Sequence, residues 1–96
     1  MTFPEDIAAR IDARFKDGTR VRDSLAQVSE IRDRERIWRC VLELSESDYD
    51  AVDAWVKKAN ADYRDVIYYA EYDNREVRRF DFSRSYDEQV PYSYPQ

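Results

Sequence analysis

The sequence has no histidine, one cysteine, one glycine and three prolines in 96 residues. Each scarcity removes a chemistry. Without histidine there is no Ser-His or Cys-His nucleophilic pair, and the commonest zinc ligand is missing. A lone Cys40 forms no intrachain disulfide and builds no thiolate metal site. With Gly18 as the only glycine, no glycine-rich loop can cradle a phosphate. No apolar run approaches the roughly 18 residues that span a bilayer. Met1 to Asp6 is acidic and lacks a positive segment followed by an apolar one. No secretory signal is therefore expected, and a cytoplasmic protein is.

What the chain does have is charge. There are 21 acidic against 16 basic side chains, for a net charge of −5, which gives no general attraction to nucleic acid or an anionic membrane. Hydrophobic residues make up 43% of the chain, enough for one small core. A single domain is expected over residues 1–84. Residues 85–96 hold Pro91 and Pro95 without a clear period and are expected as an extended tail.

Hydrophobic spacing divides the domain. Thr2 to Phe15 is expected as a helix, with Ile7, Ile11 and Phe15 on one face, Thr2 and Glu5 as a capping box, and Pro4 in the first turn. Gly18 then marks a left-handed stop. Thr19 to Ile31 reads as a second helix on Val21, Leu25 and Val28. Arg32 to Arg36 is a charged connector. From there the period becomes two: Trp38, Cys40, Leu42 and Leu44 alternate with Arg39, Val41 and Glu43, as in a strand whose second face also carries Ile37. Ser45 to Asn60 is the clearest helix, with Ser45 as its cap and a buried stripe of Tyr49, Val52, Trp55, Val56 and Ala59.

Arg64 to Tyr72 and Val77 to Ser83 read as a hairpin. A loop over Asp73 to Glu76 sets Tyr72 opposite Val77 and Glu71 opposite Arg78, whereas a shorter loop sets Glu71 against Glu76. The order α-α-β-α-β-β predicts an α+β domain with a three-stranded mixed sheet packed with helices. In that register Ile67, Tyr69, Phe80 and Phe82 join the core. Val66, Tyr68, Ala70, Tyr72, Val77 and Arg79 share the other sheet face.

Two candidate binding surfaces follow. Tyr68, Tyr72 and Arg79 form an aromatic surface bordered by arginine, of a composition that suits a protein interface and also resembles single-stranded nucleic-acid platforms. Glu46, Asp48, Asp50 and Asp53 crowd the start of one helix and would face a basic partner. The stretch ESDYDAVD lacks the glycine and spacing of a calcium loop, and helix-dipole matching accounts for its acids, so no metal and no cofactor is expected. Cys40 reads as a small buried hydrophobe. Taken together, these features predict a small acidic protein-protein interaction or regulatory module of an inhibitor or immunity-like kind. The alternatives are a homodimeric ligand-binding domain, a histidine-free enzyme using Tyr68, Tyr72, Asp81 and Arg79, and a single-stranded nucleic-acid binder, which the net charge disfavours.

Overall fold

The structure, a computed structural model, describes residues 2–73 and 77–89. Four helices carry the described chain: α1 (Glu5–Arg14), α2 (Gly18–Leu25), α3 (Arg34–Ser45) and α4 (Tyr49–Glu71). A two-residue ladder follows, β1 (Tyr72–Asp73) antiparallel to β2 (Val77–Arg78), and then a 3-10 turn at Tyr86–Glu88. The expected α+β fold is overturned. Among the described residues the protein is helical, with this one short strand pair in place of a three-stranded sheet.

The expected strand around Trp38 to Leu44 lies inside α3. Its apolar residues satisfy both periods, because Ile37–Val41, Trp38–Leu42 and Cys40–Leu44 are also i, i+4 pairs. Helix wins because α3 is the central element. Ile37, Trp38, Cys40, Val41 and Leu42 are all buried, more than one strand face can hide. The supposed connector supplies the first turn, since Arg34, Glu35 and Arg36 are good helix formers. Trp38 satisfies its indole by donating Nε1–H to the Leu25 carbonyl at 2.8 Å, which ties α3 to the end of α2.

The second expected strand is the last part of α4. Tyr63, Val66, Ile67 and Ala70 stand at i, i+3, i+4, i+7. Val66 and Ala70 are buried, while Tyr63 and Ile67 pack against the core. The helix is broken at Asp62, whose φ of −157° and ψ of 97° are extended. Asp62 Oδ1 accepts the Arg64 N–H at 3.1 Å, so this residue caps a new helical start. The rings of Trp55 and Tyr69 nevertheless lie 6.0 Å apart. In a straight helix their Cα atoms would be separated by about 21 Å. The break at Asp62 therefore bends residues 63–71 back toward residues 49–61.

Smaller corrections have local causes. α1 begins at Glu5 with Pro4 before it and has no side-chain cap, so the Thr2–Glu5 box is absent. Gly18 opens α2 without a positive φ. Its lack of a side chain serves packing, because a Cβ there would meet Ile11 at 3.3 Å and Asp12 Oδ1 at 3.2 Å. α2 ends at Leu25, six residues before the expected Ile31, which is 76% exposed. Asp48 rather than Ser45 caps α4, accepting the Asp50 and Ala51 N–H groups at 2.9 and 3.3 Å. The ladder pairs Tyr72 with Arg78 and Asp73 with Val77, one residue out of the expected register. The expected turn falls partly on residues 74–76, outside the described residues. The stripe Val52, Val56 and Ala59 is buried as expected, as are Ile7, Ile11, Phe15, Cys40 and Phe82.

Two buried ion clusters fasten the segment after β2 to the helices. Glu71, fully buried, takes Arg36 Nε and Nη2 at 2.7 Å each, Arg78 Nη2 at 2.9 Å and the Phe82 N–H at 3.1 Å. Its own carbonyl accepts the Arg79 and Phe80 N–H groups. In the second cluster, buried Arg39 donates to Asp6 at 2.8 and 3.2 Å and to the Phe82 carbonyl at 3.1 Å. Asp6 also accepts the Tyr86 N–H at 3.0 Å, and the Tyr86 hydroxyl donates to the Arg39 carbonyl at 3.1 Å. Residues 85–89, assigned to the tail from sequence, thus include a turn packed against α1 and α3; residues 90–96 lie outside the described residues.

Candidate interaction site

The bend in α4 assembles an aromatic surface from both of its halves. Trp55 comes from the first half, Tyr68 and Tyr69 from the second, and Tyr72 from β1. Successive ring centroids are 6.0 Å (Trp55–Tyr69), 6.0 Å (Tyr69–Tyr68) and 5.4 Å apart (Tyr68–Tyr72), the last pair stacked at 21°. Tyr69 is 55% and Tyr68 38% exposed. Among the described residues, the hydroxyls of Tyr68, Tyr69 and Tyr72 have no hydrogen-bond partner, so each is left to solvent or to an incoming group. Lys58 Nζ sits 5.9 Å from the Tyr69 ring and the Arg78 guanidinium 5.9 Å from the Tyr72 ring, giving the surface a cationic rim.

This changes the membership expected from sequence. The strand register places Tyr69 in the core, whereas it is the most exposed of the four rings. A helix turns adjacent residues by only about 100°, so Tyr68 and Tyr69 share a surface that a strand would split between two faces. Trp55, expected in a buried stripe, is only partly buried, with one side on the core and the other on Tyr69. The helical spacing of Tyr63, Val66, Ile67 and Ala70 was the available signal, because it leaves Tyr68 and Tyr69 on the outside. Arg79 is exposed, holds its side chain 5.2 Å over the Phe80 ring, and uses its N–H on the Glu71 carbonyl.

The four acids form a separate site at the start of α4. All are exposed, but they are not equally free. Asp48 is committed to its cap. Asp53 accepts the Ser24 hydroxyl and lies 3.7 Å from Arg20 Nη2, which also reaches Asp50 at 3.4 Å. The Arg20 guanidinium lies 4.8 Å over the Tyr49 ring, and the Tyr49 hydroxyl accepts the Asp17 N–H at 2.7 Å. Glu46 follows α3 at φ 55° and ψ −104°, the one positive φ among the described non-glycine residues. No group of three or more acidic or cysteine side chains among the described residues converges as a metal site.

The remaining titratable groups are placed for structure. Burial pushes the Asp6 carboxyl up, but the Arg39 hydrogen bond, the Tyr86 N–H and the Arg39 charge outweigh it, so Asp6 ionises below the usual carboxylate range. At Asp81 burial again acts upward and is outweighed by Ser83 and Arg78, leaving this carboxyl low as well. Burial, followed by the neighbouring Glu71 carboxylate, drives the Cys40 thiol far above its ordinary value. Burial likewise raises the Tyr86 phenol. An open groove of about 720 Å³ runs between α2 and α4, bordered by Arg20, Asp23, Ser24, Asp53, Lys57 and Asn60. Asn60 spans its end, donating to the Gln27 carbonyl and accepting from Ser29.

No family model matches this sequence, and no curated protein or solved structure matches it either. No described helix is long and apolar enough to cross a membrane.

Proposed function

We propose that the protein is a non-catalytic protein-interaction module of a regulatory kind, whose main contact surface is the aromatic ladder of Trp55, Tyr68, Tyr69 and Tyr72. One observation carries this reading: four rings in continuous contact at the surface, assembled across a helix bend, with three hydroxyls that have no partner among the described residues. Tyrosine and tryptophan are the residues that most often dominate binding energy, because they offer large rigid area and a polar edge at little entropic cost. Lys58 and Arg78 supply the charged rim such anchors usually have. The net charge of −5 favours a protein over a nucleic acid as the occupant. A cytoplasmic setting goes with this reading, since the single buried Cys40 needs no oxidising compartment.

Affinity capture with two baits tests it, the wild-type chain and a Tyr68→Ala/Tyr69→Ala variant whose helical circular dichroism is unchanged. The expected result is a discrete partner on the wild-type bait, recovered at about a tenth of that level or less on the variant. Equal recovery on both baits would remove the ladder from the proposal. Sedimentation at micromolar concentration runs in parallel. A wild-type dimer that the variant loses would identify the occupant as a second copy of this chain.

A further inference from the structure

The aromatic ladder ends close to where the described chain ends. Gln89, the last described residue, accepts the Asp81 N–H at 2.9 Å and donates to the Asp81 carbonyl at 2.7 Å. Phe80, next to Asp81, donates its N–H to the Glu71 carbonyl at 3.2 Å. Glu71 directly precedes Tyr72, the last ring of the ladder. With standard bond lengths this path holds the Gln89 and Tyr72 Cα atoms within about 17 Å of each other. Seven residues, 90–96, follow Gln89, and an extended chain of that length spans about 23 Å. From its anchor at Gln89 this segment therefore reaches Tyr72 with a residue or two to spare.

Its composition suits the surface it can reach. The segment reads VPYSYPQ and carries no charged side chain. Pro91 and Pro95 fix their own φ and cannot sit inside a helix. Extended, proline-containing segments dock on aromatic faces at low entropic cost, because proline has already restricted them. In an extended chain, residues two apart share a side at about 6.7 Å. Tyr92 and Tyr94 are two apart, and the rings of the ladder step by 5.4 to 6.0 Å. The hydroxyls of Tyr68, Tyr69 and Tyr72 have no partner among the described residues, and extended backbone offers carbonyls to accept from them.

We propose that residues 90–96 lie across the Tyr72 end of the ladder as an intramolecular occupant, and that a partner protein binds there only by displacing them. The tail then regulates the surface on which the proposed function rests, and the inference depends on that reading for its consequence. A short tether gives the tail an effective concentration of about a millimolar. With an intrinsic Kd of about 0.1 mM, the tail covers the ladder about nine-tenths of the time, and a partner's apparent affinity falls about tenfold.

Amide-resolved NMR of the full chain tests it, comparing the wild type with Pro91→Ser/Tyr92→Ser/Tyr94→Ser/Pro95→Ser, which alters no described residue. The expected result is displaced resonances at Tyr68, Tyr69 and Tyr72. A synthetic VPYSYPQ peptide should then bind the tail variant saturably at those residues, and the wild type about tenfold more weakly. Adding Tyr68→Ala/Tyr69→Ala to the tail variant should abolish that binding. The proposal is overturned if the ladder resonances of wild type and tail variant coincide, if the changes stop at residues 85–89, or if the peptide does not bind the tail variant at millimolar concentration. A wild-type dimer in sedimentation that the tail variant loses also overturns it, because the tail then docks on a second copy. None of these readouts involves the partner. A ladder that captures no protein can still hold its tail, and a captured protein can use a ladder the tail never touches, so the two readings fail separately.

Discussion

Replacing Glu71 with glutamine is the sharpest perturbation of this fold. The change keeps the side-chain volume and removes one charge from a carboxylate that receives Arg36 twice, Arg78 once and the Phe82 N–H. Breaking a fully buried ion pair by removing one partner costs about 3–5 kcal/mol. Here the guanidinium groups that lose the charge belong to side chains that are 25% and 31% exposed, and Arg78 keeps Asp81 at 3.1 Å, so water and that carboxylate recover part of the loss. Against this recovery, the new amide presents N–H where the carboxylate only accepted. It leaves at least one buried donor unmet, at about 1–3 kcal/mol. The balance is a loss of about 3 kcal/mol, or a fall in Tm of roughly 12–24 °C for a chain of this size. Urea unfolding followed by circular dichroism measures it, with the m-value unchanged if the folded state keeps its extent. A double-mutant cycle with Arg36→Gln should show coupling of at least about 1 kcal/mol. A loss under about 1 kcal/mol together with an additive cycle would refute the assignment of Glu71 as the residue that fastens the C-terminal segment.

Three further outcomes can be checked on the same instruments. Because the Asp6 carboxyl ionises below its ordinary value, its contribution is fully present above the unfolded value of about 3.9 and is lost as pH falls through the lower folded one. The stability gap between wild type and Asp6→Asn should therefore be constant from neutral pH down to about 5 and close below about 4. Cys40 should resist a thiol reagent in the native protein and label promptly in denaturant, its thiolate being disfavoured by burial and by Glu71; rapid native labelling would contradict this placement. Asp62→Ala removes the cap that restarts α4 and should cost about 1 kcal/mol. It should also blunt any emission difference that depends on Trp55 contacting Tyr69; a variant as stable as wild type would mean that the bend is held by packing alone.

How much of this was readable in the sequence depended on whether a segment's neighbours were local. α1 and the stripe Val52, Val56 and Ala59 announce themselves, because one face of each is apolar and the other charged. α3 does not, because its apolar residues from Ile37 to Leu44 satisfy a period of two as well as the helical one. The stretch from Arg64 to Tyr72 reads as a strand because its tyrosines, valine and isoleucine favour strands by propensity. What decided it was tertiary. Glu71 meets Arg36, which is distant in sequence, and no window of local sequence contains that pairing. The expected pairing of Glu71 with Arg78 shows the same limit from the other side. The two side chains do meet, but at a helix end one residue out of register instead of across a ladder. The candidate site followed the elements. Tyr68 and Tyr72 stayed at the surface in either fold, while Tyr69 and Trp55 could be assigned to it only once the break at Asp62 was known.

The bond from the Tyr86 N–H to Asp6 joins positions 80 apart in sequence. Closing so long a loop is entropically expensive, and its reward arrives only after the helices have docked. It is therefore expected to form late in folding, as a clasp that shuts on finished work. On a ribosome, which releases chain from the N-terminus, Asp6 and Arg39 can pair with each other first, and the Phe82 carbonyl and Tyr86 N–H join them only after residue 86 has cleared the exit. Fraying should begin at the same place. Release of the clasp, followed by the Arg39 and Glu71 bonds to Phe82, lets that residue leave the core before any helix has to unwind, giving the molecule a first step of opening much smaller than complete unfolding.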